Sequence, residues 1–324
     1  MKISEIKAAA TAYVDAQKQA GTWVASSNNL AGLLDKIAKT VTIDGVFTDK
    51  LPELDGEPLP LGKTVEEWYQ ELNAVTDYKD FKTGTGAGEA ALKPYYPTYQ
   101  NASYNYTLGR KIIPTTLKYD EYERACNNPS ELASITAMVL KRLSDTEGQF
   151  RFAAKKQILA NLCAKARTVG SAHAEFDLVK EMAMPVDTAS GEAFLQQVKI
   201  DVEDAAFPSN KHSLNGATIG AETGLMLIIK KGIKPVIDVQ VEAGAFNPDR
   251  LAVPAQIVVV DDFGGDNKVF AMLVDKRIAR LHPTYRAIRE QLNGVGDYVN
   301  YFLHTENTAF IGKNCFVKIY DAAA

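Results

Sequence analysis

The sequence predicts an α+β fold organised around one long helix. Helically spaced apolar residues run through residues 130–167, and several short apolar runs are typical of strands buried on both faces. A glycine- and tyrosine-rich ribbon at residues 77–116 has too few aliphatic side chains to build a core of its own. No internal repeat with a period of about 20 to 50 residues occurs, so a solenoid or propeller is not expected.

The N-terminal part is expected to form helices, a strand and a loop in that order. Apolar spacing predicts a helix over residues 3–20 and a shorter one over residues 30–38. Alternating apolar and polar residues predict a strand over residues 40–47. Three prolines and a glycine then predict an extended loop over residues 51–61.

A short helix is predicted to begin at Thr64. Thr64 and Glu67 stand three residues apart, the spacing of a capping box, in which the hydroxyl accepts an N–H bond of the first turn and the carboxylate reaches back to the cap. Trp68 and Leu72 would share one face of this helix.

The ribbon at residues 77–116 carries the one positive functional signal. Gly84, Gly86 and Gly88 predict a flexible hinge at its tip. Tyrosines, which are enriched where protein surfaces meet, follow at Tyr95, Tyr96, Tyr99, Tyr104 and Tyr106. Long ribbons of this kind tend to be functional. Two interpretations stay open: a contact arm that lies on a neighbouring subunit through these tyrosines, or a long loop that lies on its own domain.

The longest helical pattern begins after Asn128, a capping residue, and Pro129, which suits a first turn. Over residues 130–167 it predicts roughly 57 Å of helix, with Gly148 as a possible bend. The apolar stripe follows no sustained heptad, so a domain-spanning spine is favoured over a coiled coil.

The remainder mixes helical and strand periods. A helix is predicted at residues 191–203, and strands are predicted at residues 225–229, 257–260, 269–274 and 316–320. Residues 284–292 are predicted to form a helix that ends at Gly294. Residues 235–246 are ambiguous, because β-branched residues occupy a helix-like frame.

Composition favours an ordinary folded protein of the cytoplasm. The 324 residues carry a net charge of −4 and no basic stripe, which argues against tight electrostatic binding of nucleic acid. Cys126, Cys163 and Cys315 are odd in number and lack CxxC spacing, so core packing is expected rather than a disulfide framework. Neither a secretory h-region in the first twenty residues nor a membrane-spanning apolar run is present.

Motifs for enzyme chemistry are incomplete. The sequence at 62–64 resembles the end of a phosphate loop, but five residues, two of them prolines, separate it from Gly56, where four are required. Four histidines lack metal spacing and are expected to be solvated or to cap: His173, His212, His282 and His304. Asp261 and Asp262 are interpreted as surface turn acids, because adjacent strand residues point to opposite faces. We expect no catalytic, cofactor-binding or metal site.

Several segments together resemble the major head proteins of the phi twenty-nine-like podoviruses. Residues 59–67 read LPLGKTVEE, and this family shows a proline-leucine-glycine-basic-threonine-aliphatic-glutamate-glutamate string. Similar segments follow in order at residues 225–229, 245–247, 258–263, 273–276, 298–302 and 307–311. The ordered set covers the chain from about residue 40 onward.

This resemblance implies the tailed-phage capsid fold named for Hong Kong ninety-seven. It implies an N-terminal arm at 1–45, an extended loop and its base at 46–118, a peripheral domain with the spine helix at 119–187, an axial domain at 188–268, and a return to the peripheral domain at 269–324. The function it implies is structural: copies assemble as hexamers and pentamers into an icosahedral or prolate shell around the phage genome.

The partners that the resemblance implies are other copies of the chain, a scaffolding protein and a portal. Packaged double-stranded DNA would be contacted weakly and without sequence preference, and no membrane or cofactor is expected. Three alternatives stay open: an encapsulin-like compartment that packages enzyme cargo, a nucleotide-dependent enzyme, and a tail or baseplate protein.

Overall fold

The computed structural model describes residues 49–60, 63, 65–72, 75, 96, 99–101, 103–118, 129–220, 224–243, 255–296 and 298–323. The helices and the strand predicted before residue 48 lie outside these residues. The described part of the chain forms two compact units. The first draws on the ranges Met1–Lys63, Tyr106–Lys155 and Leu281–Ala309, and the second on Thr64–Asn105, Lys156–Arg280 and Phe310–Ala324.

The described residues form three α-helices, ten strands and one short 3₁₀ helix, Pro52–Leu54. The helices are α1 (Pro129–Ala172), α2 (Thr188–Ala206) and α3 (Ile233–Ala243). The strands are β1 (Trp68–Gln70), β2 (Tyr99–Asn101), β3 (Ser103–Lys118), β4 (Val179–Met182), β5 (Leu225–Lys230), β6 (Gln256–Val260), β7 (Val269–Asp275), β8 (Ala279–Asn293), β9 (Tyr298–Gly312) and β10 (Val317–Ala322).

Helix α1 confirms the long helix that the apolar stripe predicts. It runs for 44 residues without interruption, through Gly148. The helix extends beyond the predicted residues 130–167 at both ends, and it starts at Pro129, where the missing N–H of proline costs no helical hydrogen bond.

The first unit contains most of a three-stranded sheet in the order β3-β9-β8. Along β9 the side chains from Tyr298 to Thr305 alternate between half-buried and buried, the pattern of a strand with one face in the core. The segment at 49–60 runs beside the start of β8, where Gly56 N–H donates to Leu281 O at 3.0 Å and Leu59 N–H donates to Pro283 O at 2.9 Å. The buried ammonium group of Lys155 binds Asp49 and Asp55 of this segment.

The prediction of a helix at residues 284–292 is wrong, because these residues belong to β8. Arg286, Glu290 and Leu292 are good helix formers, but all are exposed, so their side chains contribute little to the choice of structure. The backbone partner is β9, and Thr284 Oγ1 also donates to Glu306 O at 3.0 Å. Pro283 fits this position, since β8 is an edge strand.

The second unit is built on a five-stranded mixed sheet in the order β4-β10-β7-β5-β6. Strands β5 and β6 pair in parallel, as do β10 and β4, whereas β7 is antiparallel to both of its neighbours. All residues of β7 and the first five of β5 are buried. These continuous apolar runs therefore confirm the strands predicted at 225–229 and 269–274, and β6 and β10 confirm those at 257–260 and 316–320.

Helices α2 and α3 share one apolar core with this sheet. Phe194, Leu195 and Val198 of α2 lie in a cluster with alternate residues of β5 and with Ile233 and Ile237 of α3. Helix α2 begins at a capping box in which Ser190 N–H donates to Asp187 Oδ1 at 2.8 Å and Asp187 N–H donates to Ser190 Oγ at 3.1 Å. It confirms the helix predicted at 191–203 and is longer by several residues, and α3 resolves the ambiguity at 235–243 as a helix.

Candidate functional site

The candidate site is the base of the ribbon, where the sequence predicts a helix that the structure does not form. Residues 65–67 are not helical, and Trp68–Gln70 form β1, which pairs antiparallel with β2. Thr64 lies outside the described residues, and Glu67 is not a helix cap. The capping-box interpretation was wrong because the partners of Glu67 lie more than two hundred positions away in the chain.

Glu67, which directly precedes β1, holds the hairpin of β1 and β2 to the turn between β9 and β10. Its carboxylate accepts hydrogen bonds from the backbone N–H groups of Lys313 at 2.9 Å and Asn314 at 3.4 Å, and from Cys315 Sγ at 3.5 Å. Gly312 provides the necessary room, since a Cβ atom there would lie 2.9 Å from Glu67 Oε2. A carboxylate that collects successive backbone N–H groups in this way fixes a turn and a strand to each other.

The hairpin of β1 and β2 has one anchored face and one exposed face. Tyr69 lies on the first, where its hydroxyl accepts a hydrogen bond from Thr218 N–H at 3.0 Å. Trp68 and Tyr99 lie on the second, because Trp68 pairs with Asn101 and Gln70 pairs with Tyr99. Their side chains are 65% and 61% exposed, so this aromatic face has no cover within the described part of the chain.

The predicted contact tyrosines fall into two groups. Tyr96, Tyr99 and Tyr106 are exposed, as a contact arm requires. Tyr104 instead packs within the second unit, with Lys165 Nζ 3.6 Å and Lys313 Nζ 4.1 Å from the centre of its ring. Tyr95 and the hinge glycines Gly84, Gly86 and Gly88 lie outside the described residues. Trp68, predicted to lie in a helix, belongs to the exposed aromatic face.

A second cluster fixes helix α1 to the turn that follows β6. Lys156 Nζ lies 2.9 Å from Oδ2 of Asp261 and 2.9 Å from Oδ2 of Asp262. The two carboxylates converge because the strand has ended and the chain turns, so these turn acids have a defined cationic partner. The hydrogen bond from Lys156 holds the pKa of Asp262 below its usual value. Gly264, at φ +63°, comes so close to α1 that a Cβ atom would lie 2.9 Å from that of Ala160.

A third polar cluster lies between β10 and α2, and all of its members except Asp177 are buried. The Tyr320 hydroxyl donates to Asp201 Oδ2 at 2.6 Å, and the Lys318 ammonium lies 4.0 Å from Asp201 Oδ1 and binds the Asp177 carboxylate. Burial raises the pKa of Asp201 and of Tyr320. Every charged group here has a partner of its own chain, so the cluster holds β10 to α2.

The other residues that could carry chemistry are histidines and cysteines, and those that the structure describes have structural contacts. Of the two alternatives expected for the histidines, solvated or capping, the first is wrong for His212 and His282, which are buried and bond the carbonyl oxygens of Asp177 and Glu57. Cys163 and Cys315 are buried free thiols whose pKa burial raises, which confirms core packing for both. Among the described residues, no group of three His, Cys, Asp or Glu side chains could hold a metal ion, and no helix is long and apolar enough to cross a membrane.

Comparison with known proteins identifies the family. A family model described as Phi29-like phage major capsid protein matches residues 7–313. The chain belongs to this family. Two curated relatives carry the name major capsid protein, from Bacillus phage PZA and Bacillus phage B103, and each is 21% identical to the chain. The alignments cover 88% and 85% of the chain but 61% and 59% of these relatives, so the chain spans about three fifths of their length.

Solved structures show the fold of this capsid-family member. The capsid structure of Staphylococcus phage Andhra matches with a TM-score of 0.63 at 13% identity, over 87% of this chain and 86% of that one. A structure of the head fiber and inner core protein gp22 of bacteriophage P68 matches at 0.57 and 13% identity, over 86% of each chain. The capsid of cyanophage P-SCSP1u matches at 0.51 and 9%, over 84% and 86%. The predicted α+β, tailed-phage capsid fold is confirmed.

Proposed function

We propose that this chain is the repeating subunit of a phage head, and that many copies form the shell of the virion as hexamers and pentamers. The observation that carries the proposal is the family match over residues 7–313, together with a fold similar to solved phage capsid chains. The role is structural and not enzymatic. The described residues support this reading, since their polar clusters are ion-paired and hydrogen-bonded within the fold.

The exposed aromatic face of the β1–β2 hairpin supports an arm that lies on a neighbouring copy. Trp68 and Tyr99 present their rings on one side, while Tyr69 and Glu67 hold the hairpin to its own chain. Burying a ring of this size contributes about 1.5–3 kcal/mol. Because a shell repeats each contact many times, such modest terms are sufficient. Tyr95, Tyr96 and Tyr106 belong to the proposed arm, Tyr104 does not, and Gly84, Gly86 and Gly88 form its hinge.

The domain assignment remains part of the proposal. Residues 188–268 would be the axial domain, and the flanking residues 119–187 and 269–324 the peripheral domain. Helices α2 and α3 and strands β5 and β6 fall within the proposed axial residues, and their shared core cluster also takes in Phe270 of β7 and Tyr320 of β10 from the proposed peripheral residues. Residues 1–45 would form the N-terminal arm, and residues 46–118 the extended loop with its base.

The proposed partners beyond other copies are a scaffolding protein, a portal and the packaged double-stranded DNA. A net charge of −4 supports weak DNA contacts without sequence preference, because few phosphate charges could be neutralised.

Imaging tests the proposed function directly. Recombinant protein would be examined by negative-stain electron microscopy and by sedimentation, alone and together with the scaffolding protein of the same phage. Closed particles or capsomer-sized rings are the expected result. A strict monomer at every concentration, with and without scaffolding protein, would contradict the shell function.

A further inference from the structure

The second unit contains an open cavity that none of the contacts described above explains. It lies between the segment that follows α1 and the C-terminal end of α2, and its volume is about 630 Å³. The residues that line it include Glu175, Asp177, Asp204, Phe207 and His212. We propose that this cavity binds an arginine side chain of a second copy of this chain.

The walls of the cavity are rich in negative charge. Three carboxylates line it, against the single ammonium group of Lys211. Asp177 is paired with Lys318, and Glu175 lies 3.3 Å from His173 Nδ1. Asp204 has no cationic partner among the described residues. Its position in the last turn of α2 adds the negative end of the helix dipole, so the cavity favours a cation.

His212 provides a further hydrogen-bond acceptor. Its side chain is 94% buried by the fold, since only 6% is exposed, and it lines the cavity. Nδ1 lies 3.1 Å from the carbonyl oxygen of Asp177, so Nδ1 carries the proton of the neutral ring. Nε2 then presents a lone pair, and it has no hydrogen-bond partner in the described part of the chain. The cavity therefore offers several acceptors to a ligand that is rich in N–H donors.

Phe207 distinguishes arginine from lysine as the ligand. It caps the C-terminus of α2, lines the cavity and is 72% exposed, so the described part of the chain gives no packing reason for an aromatic ring there. A planar guanidinium group stacks on such a ring and offers five donors in a fixed fork, whereas an ammonium group is a strongly hydrated point charge. Carboxylates, an acceptor nitrogen and an aromatic ring together match a guanidinium group.

The assignment of the arginine to a second copy of the chain rests on the proposed shell function. Among the described residues, three exposed arginines are engaged: Arg110 with Glu306, Arg277 with Asp275 and Arg286 with Glu147. Arg142 and Arg289 are exposed and have no carboxylate partner among the described residues. In a shell, each copy presents both the cavity and these arginines, so one contact repeats around the particle.

Arginine chemistry is tested first on the full-length subunit, by ligand-observed NMR titration with N-acetyl-arginine amide. N-acetyl-citrulline amide, which has the same shape without the charge, is the control ligand. We expect the Asp204→Lys and Phe207→Ser variants each to weaken binding by about tenfold or more. Glu203→Lys changes the same charge on the neighbouring exposed residue, outside the cavity, and should leave binding unchanged. Equal binding of both ligands, or equal effects of Asp204→Lys and Glu203→Lys, would overturn the proposal.

Assembly then tests the second copy. Shell formation, followed by light scattering, should be slower with Asp204→Lys than with Glu203→Lys, and adding Arg142→Glu or Arg289→Glu to the Asp204→Lys chain should restore it. Restoration by neither substitution would overturn the assignment to a second copy. If the unaltered chain forms no shell under any condition, the shell function fails, and with it the second copy, while the titration still decides whether the cavity binds arginine.

Discussion

Arg167 and Asp321 form a two-pronged ion pair, with Nε donating to Oδ2 at 2.8 Å and Nη2 donating to Oδ1 at 2.7 Å. The same guanidinium group binds Asp266, so one side chain of α1 holds both the end of β10 and the turn before β7. These hydrogen bonds raise the pKa of Arg167, which stays charged at any pH at which the protein folds. Lys156 and its two carboxylates repeat the arrangement eleven positions earlier on α1.

Replacing Arg167 with lysine should destabilise the second unit. A single ammonium group cannot reproduce two parallel bonds to Asp321 while it also binds Asp266, and the Asp321 carboxylate would be left partly unpaired in a buried place. We expect the free energy of unfolding to fall by about 1–3 kcal/mol, measured by urea denaturation. Arg142→Lys, an exposed change on the same helix, is the matched control. Equal urea midpoints for Arg167→Lys and Arg142→Lys would show that the two-pronged geometry of the arginine contributes nothing to stability.

The contact between Lys156 and Asp262 should depend on pH in a defined direction. The pKa of Asp262 is lower in the folded state than the ordinary value of 3.8, because of the hydrogen bond from Lys156. A lowered folded pKa means that the contribution to stability is present above pH 3.8 and is lost as the pH falls through the folded value. The difference in free energy of unfolding between the unaltered chain and Asp262→Asn should therefore stay constant from neutral pH down to about pH 3.8 and shrink below that pH. Urea titrations between about pH 3 and pH 7 measure it, and a difference that instead grew on acidification would contradict the argument.

Loss of the Glu67 carboxylate should release the ribbon without unfolding the second unit. In Glu67→Ala the N–H groups of Lys313 and Asn314 lose their acceptor, at a cost of about 1–3 kcal/mol if no water replaces it. Because this loss is local, limited proteolysis should cut the segment between β1 and β2 faster, while the far-ultraviolet circular dichroism, which reports the helices and sheets, stays unchanged. Glu66→Ala is the control: it removes only an exposed hydrogen bond from Trp68 Nε1 at 3.1 Å and should leave the rate of cleavage as it was.

The sequence was sufficient to predict the strands and helices whose own apolar pattern determines their structure. Strands β5 and β7 are buried on both faces, and residues 130–167 of α1 keep an apolar stripe, so pattern alone predicted these two strands and most of the helix. Pattern reading failed at β8, where exposed residues with high helix propensity form a strand because they pair with β9. It also failed at Glu67, because the N–H groups that donate to its carboxylate lie 246 and 247 positions away in the chain. The cavity could not be predicted from the sequence for the same reason, because its walls come from segments near residues 175 and 207 that only the fold brings together.

The exposed aromatic face of the hairpin should be dispensable for folding and necessary for assembly. Replacing Trp68 and Tyr99 with serine removes two rings that the described part of the chain leaves uncovered, so the free energy of unfolding should change by less than about 1 kcal/mol. In a shell each lost ring removes about 1.5–3 kcal/mol from every copy of the contact, and shells should not form.

Serine at Tyr95, Tyr96 and Tyr99 tests the rest of the arm in the same way. Tyr104→Ser is the matched control, because it should lower the stability of the subunit through the loss of its contacts with Lys165 and Lys313 while shells still assemble. Normal particles from the Trp68 and Tyr99 double variant, seen by negative-stain microscopy, would contradict the proposed arm.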